Sequence, residues 1–316
     1  MKFKIKFDFR NYVVYFAFLF IFILFSISLY KNNFLTSYNL MNIARQSSII
    51  AILTVGMALV LAGGEIDLSI GANASLATII AALSFKWFSG SLGMAVAIIL
   101  PVIIATGFGI GNGFFVSRLK VPSFLATMGM MGIISGLARW VSGLKAIAIA
   151  NPQFIYFFGG GTFKKIPILF LWTIIFTFIG AVILYKIPLG KKILATGGSI
   201  DAAYFSGIKT QNIKWTVFII SGCIAGFVGV LLAGRFGGGR YDLGDDTLLT
   251  VIAATVLGGT SLFGGKANIF GAIIGAIMIA MLNNGLLLFG LDIPQQMMVR
   301  GAVIILAVAA SMKNQR

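Results

Sequence analysis

Long apolar runs alternate with short polar breaks along almost the whole chain. Runs of this length predict helices that cross a bilayer, each needing roughly 20 apolar residues. The pattern places about ten spans, near 12–30, 43–62, 70–87, 92–116, 123–142, 166–185, 215–234, 247–263, 268–289 and 296–311. Barrel strands would instead alternate apolar and polar positions over about ten residues. The expected fold class is all-α, a polytopic transmembrane helical bundle forming one domain over 1–316, with some spans broken by Gly-rich segments.

Two connections stand out. Residues 143–165 form a long loop carrying Asn151-Pro152 and Gly159-Gly160-Gly161, and residues 186–214 form a second one with the weakly helical core SIDAAYFSGI. There is also an internal echo. Residues 53–72 read LTVGMALVLAGGEIDLSIGA and residues 249–267 read LTVIAATVLGGTSLFGGKA. Each is an apolar helix, a Gly-Gly pair, a short polar stretch and a glycine opening the next helix. Paired interrupted segments in two halves point to an internal duplication and to a transport pathway, although Gly-rich helices also resemble one another through packing alone.

Composition sharpens this reading. Of 316 residues, 59% are hydrophobic and 10% charged, against about 25% charged in soluble domains. Histidine is absent and Cys223 is the single cysteine, which leaves no Ser-His triad, no soft-metal site and no intrachain disulfide. Catalysis, a metal and a cofactor are therefore not expected. The net charge of +16 would suggest nucleic acid in a soluble chain, but here the cations sit between apolar runs, as topology signals do. With the N-terminus inside, fourteen Lys and Arg fall in inside segments, including Lys2, Lys4, Lys6, Arg10, Lys313 and Arg316, against seven outside. That bias puts both termini and the 186–214 loop in the cytoplasm. The apolar run after the basic start is too long for a signal core and reads as a retained first helix.

Candidate chemistry is sparse. Glu65 and Asp67 lie in GGEIDLSIG, residues 63–71. Charges at membrane depth are costly and commonly functional; the plainer alternative is a capped turn at the surface, with Asp67 or Ser69 as the cap. Asn73, Asn112, Asn283 and Asn284 are amides within spans. They could bind a polyol through paired donors and acceptors or join helices. Small-xxx-small pairs such as Gly107 with Gly111 and Gly271 with Gly275 suit close helix packing. GFGIGNG at 107–113 lies inside an apolar span with no preceding strand, and no GxxxxGK[ST] loop is present, so any ATP must bind another chain.

Taken in order, GGEIDLSIG (63–71), VPSFLATMG (121–129), GGSIDAAYFSGI (197–208), VLGGTSLFGG (256–265), LNNGLLLFG (282–290) and QQMMVRGAVIILAV (295–308) resemble the permeases of bacterial carbohydrate ABC importers of the ribose type. The resemblance runs from about Asn39 to Ala310. It implies cytoplasmic ABC ATPase subunits, an extracytoplasmic solute-binding protein, a second permease copy or close paralogue, and a sugar-like solute crossing the bacterial cytoplasmic membrane. It also implies that Asp201, Ala202, Ala203, Gly207 and Ile208 form the ATPase-coupling element. One departure concerns the solute: the family often shows an acidic helix start after the outside loop, where this chain has TLLT at 247–250 with Asp245 and Asp246 slightly earlier. The rival class is an ion-gradient-driven secondary carrier, which would bury several ionisable residues at mid-membrane. A passive channel would need a persistent polar pore, and the spans offer few lining groups.

Overall fold

The computed structural model describes residues 13–313. Of the terminal segments expected in the cytoplasm, 1–10 and 313–316, all but Lys313 therefore lie outside the described residues. In chain order the helices are α1 (Val13–Ser28), α2 (Ser37–Ala62), α3 (Ile70–Trp87), α4 (Gly90–Ser117), α5 (Ser123–Ser142), α6 (Pro152–Ile155), α7 (Ile168–Ala181), α8 (Pro188–Gly198), α9 (Ile200–Phe205), α10 (Thr210–Phe236), α11 (Thr247–Leu257), α12 (Ile269–Leu288) and α13 (Ile293–Lys313). Four two-residue strands pair antiparallel: β1 (Ile147–Ala148) with β4 (Gly238–Gly239), and β2 (Thr162–Phe163) with β3 (Ile166–Pro167).

Among the described residues, seven helices are long and apolar enough to cross a membrane: α2, α3, α4, α5, α7 with its continuation to Lys186, α10 and α12. In α2, α3 and α10, 78% of the apolar window is buried, against 22–28% in α4, α5 and α7. The first three therefore form the centre, and the others present apolar faces outward. Contact between α4 and α10 is backbone-close. A Cβ on Gly109 would meet the Phe218 carbonyl, one on Gly113 the Trp215 side chain, and one on Gly226 the backbone of Val102. The packing pair on α4 is thus Gly109 with Gly113; Gly107, expected to pack, has nothing within 4 Å. Gly271 and Gly275 do pack as expected, against the carbonyls of Gly258 and Ala254. GFGIGNG is continuous helix inside α4.

The structure departs from the expected map after α10. That helix ends at Gly237, φ 63°. The chain then turns back along α3 instead of staying at the surface. Gly239 lies against the Thr78 backbone, the Arg240 N–H donates to Thr78 Oγ1 (3.1 Å) and the Gly244 N–H to Ser75 Oγ (2.8 Å). Gly244 meets Gly71 backbone to backbone. Only there does α11 begin, and its 11 residues span about 16 Å. The expected span at 247–263 is therefore a half-helix preceded by a re-entrant segment. Two glycines make the inward turn: a side chain on Gly239 or Gly244 would collide with α3.

Candidate functional site

The first broken link, residues 63–69, joins α2 to α3. Gly63 closes α2, and Gly64 takes φ 78°, a conformation glycine adopts at little cost. The next residues leave the helix, so their backbone donors need partners from elsewhere. Two hydroxyls of α5 supply them: Ser123 Oγ accepts from the Ile66 N–H (3.2 Å) and Thr127 Oγ1 from the Leu68 N–H (3.0 Å).

Glu65 and Asp67 are both buried within the chain, while Gly64 between α2 and Glu65 is exposed. Asp67 Oδ1 accepts from the N–H (2.9 Å) and hydroxyl (2.6 Å) of Ser69, and Oδ2 accepts from Ser221 Oγ of α10 (2.6 Å). Asn112 Nδ2 of α4 donates to Ser69 Oγ (2.8 Å). Glu65 pairs with Lys214 of α10. Through these bonds one short link ties α3, α4, α5 and α10 together. Asp67 helps to cap α3 by holding the residue before it, while the Ser69 side chain makes no cap bond.

The candidate amides divide. Asn284 and Asn39 exchange two hydrogen bonds, 2.9 and 2.8 Å, joining α12 to α2. Asn73 Nδ2 donates to the Ala105 carbonyl of α4 (2.9 Å). The Oδ1 atoms of Asn73 and Asn112 are buried without a partner, as a site for an ordered water would be. Asn283 borders a narrow gap between α12 and α13 beside Arg300. Asn39 escaped the sequence reading because nothing in its neighbourhood marks it as the partner of a residue 245 positions away.

The 186–214 connection folds into α8, α9 and the start of α10. Ser199 caps α9, its Oγ accepting from the Ala202 N–H (3.3 Å). Gly207 turns the chain out with φ 81°. Asp201, Ala202 and Gly207 are exposed, Ile208 is half-buried, and Ala203 is buried against the rest of the chain. The small inward residue therefore seats α9 on its own protein. The outward face carries Tyr204 and Phe205, 66% and 85% exposed, which the sequence reading passed over. Two apolar aromatics in a polar loop were the available signal.

At the root of α8, three glycine pairs meet. A Cβ on Gly197 would strike the Ala62 carbonyl and the Gly265 nitrogen; Gly64 and Gly264 also lie against Gly197. The Gly265 N–H donates to the Ala62 carbonyl (3.0 Å). Both Gly-Gly links and the base of the 186–214 element thus touch as bare backbone. Beside this junction a cavity of about 310 Å³ is bordered by Glu65, Lys120, Ser123, Ile200, Gln211 and Lys214.

A family model described as branched-chain amino acid transport system / permease component matches residues 39–308. The ribose import permease protein of Bacillus subtilis is 35% identical over 91% of this chain and 89% of its own length. That of Escherichia coli (strain K12) is 34% identical over 92% and 90%. The L-arabinose ABC transporter permease protein of Azospirillum brasilense is 33% identical over 92% and 85%. No solved structure matches. With an all-α bundle of long apolar helices, a family match over most of the chain and permeases covered nearly end to end, this chain belongs to the permease-component family of ABC transporters, as a multi-pass protein of the inner membrane.

Proposed function

We propose that the chain is the membrane half of an ATP-driven importer of a monosaccharide. Two permease copies, or one copy and a paralogue, enclose the route. A solute-binding protein delivers sugar from outside, and cytoplasmic ATPases dock on α9. The solute class follows the relatives, whose names specify ribose, L-arabinose and xylose. Lys and Arg bias supports cytoplasmic termini. The observation that carries the mechanism is the build of the 186–214 element. Its tip exposes Tyr204 and Phe205 while its root is wedged between both Gly-Gly links. A push on α9 is thereby delivered to the joints of the spans, and ATP need only favour one of two arrangements. Asp67 is engaged by three donors from Ser69 and Ser221, an arrangement that suits a structural joint better than the ion relay of a secondary carrier. Of the candidate amides, Asn283 has both amide ends free among the described residues and is the best placed to meet solute.

Phe205→Ala tests the docking role. Removing a buried aromatic anchor typically costs about 2 kcal/mol or more, some thirty-fold in association. Co-purification of the ATPase and sugar-stimulated ATP turnover should both collapse in a correctly inserted variant. Gly207→Glu should do the same, with added backbone strain at its positive φ. Normal turnover in Phe205→Ala, or uptake that follows an ion gradient without any ATPase, would refute the reading.

A further inference from the structure

The re-entrant segment carries more charge than its position permits in lipid. Asp245 accepts from Ser75 Oγ (3.4 Å), and Ser75 is the sixth residue of α3, an 18-residue span. At 1.5 Å per residue, Ser75 and Thr78 lie about 8 and 12 Å along a helix of about 26 Å. The segment from Arg240 to Asp246 therefore sits well inside the hydrocarbon thickness of about 30 Å. Yet in the single chain Arg240, Asp245 and Asp246 are exposed. Charged side chains and irregular backbone persist at that depth only against protein or a water-filled cavity.

The charges are also arranged. Arg139 of α5 reaches Asp245 (3.3 Å) and lies over the Tyr241 ring at 5.3 Å; Arg240 pairs with Asp242. The face thus alternates guanidinium donors and carboxylate acceptors around one aromatic ring, with most of the charge cancelled. Such a surface offers paired hydrogen bonds to neighbouring hydroxyls and no strong field for an ionic solute. Asp246 is its one carboxylate without an ion pair or hydrogen bond among the described side chains, at the start of α11, where the helix dipole favours an anion.

We infer that Arg139, Arg240, Tyr241, Asp242 and Asp245 form a water-facing surface at mid-membrane that binds the hydroxyls of a neutral polyol and sets which sugar passes. This rests on the importer reading for its solute, while the exposure of the face in the single chain stands on packing alone.

The test uses the assembled transporter with its ATPase and binding protein, in a Cys223→Ala background. Asp245→Cys, Asp246→Cys and the outward-facing control Ile103→Cys, a residue 61% exposed on α4, are treated with a membrane-impermeant thiosulfonate in nucleotide-free and ATP-vanadate states. The two acidic positions should react at least about ten-fold faster than the control in one state, as water-lined sites do. In parallel, Asp242→Asn and Asp245→Asn should change the ratios of maximal uptake rate among D-ribose, L-arabinose and D-xylose by about ten-fold, the lower end of the scale of one charge-assisted hydrogen bond. Slow labelling with oxidative cross-linking to a second copy would make the face a permease–permease contact and overturn the inference. Fast labelling with unchanged uptake ratios would overturn the solute-binding part. If the unsubstituted transporter takes up none of the three sugars, the sugar reading itself fails, and the labelling still decides whether the face is aqueous.

Discussion

The link after α2 and the link after α11 share an order of residues but not a way of being held. The first draws its partners from three neighbouring helices: Ser123 and Thr127 of α5, Asn112 of α4, and Ser221 and Lys214 of α10. The second draws its side-chain bonds mostly from within itself, with backbone contacts to the Ala62 carbonyl and to Gly197. Thr260 Oγ1 accepts from the Asn268 N–H (3.2 Å), Ser261 Oγ from the Phe263 N–H (3.1 Å), and Asn268 Oδ1 caps α12 at the Gly271 N–H (2.9 Å). The Ser261 N–H donates to the Lys266 carbonyl (3.0 Å). A link bonded to its neighbours moves when they move; a self-closed turn travels as a unit. The same Gly-Gly grammar has thus produced a joint in one half and, in the other, a compact turn packed against Gly197, a plug in the steric sense alone.

The largest expected effect comes from disturbing the place where joint and plug meet. Gly197→Val should lower stability by about 3 kcal/mol or prevent assembly, because the added carbon meets backbone that cannot swing aside. Gly198→Ala, whose Cβ would meet only the Gly265 Cα at 3.7 Å, should be nearly neutral. Thermal unfolding of the detergent-solubilised protein measures both, and equal losses would mean the junction is not a steric contact. Next comes the joint alone. Asp67→Ala leaves three buried donors unmatched and should cost about 2–3 kcal/mol; a melting temperature like that of the parent would show that the carboxylate is not the clasp. The smallest effect separates the two links by function. Thr127→Val and Thr260→Val each remove one acceptor from a backbone donor, about 1 kcal/mol, but only Thr127→Val should slow uptake. Equal transport defects would erase the distinction between joint and plug.

Much of the bundle was legible because apolar length is a direct statement about lipid. The helices at 37–62, 70–87, 90–117 and 123–142 follow the hydropathy closely, and Gly63-Gly64 announced the break that α2 makes. The re-entrant run from Gly237 to Asp246 was not legible. A short polar stretch between apolar runs reads as a surface loop, since hydropathy carries no depth, and only packing of Gly239 and Gly244 on α3 reveals the inward course. Ala203 and Tyr204 show a similar gap. In a six-residue helix, which side faces inward is decided by how α8 and α10 frame it, and no sequence period is long enough to tell.

The bare-backbone meeting of Gly64, Gly197 and Gly265 also fixes where this protein can be cut and regrafted. A chimera that imports a foreign connection from residue 186 onward must bring a glycine to position 197 and keep two glycine turns in register with it, or the donor side chain will wedge the bundle open. The stretch from Ser199 to Lys209 carries one lighter obligation, a small residue at the buried position 203. Gly207 has no neighbour within 4 Å, and the outward residues of α9 touch little of the chain. If α9 is the docking element proposed above, trading that one helical turn and a half should exchange the partner a permease accepts while its spans stay in place.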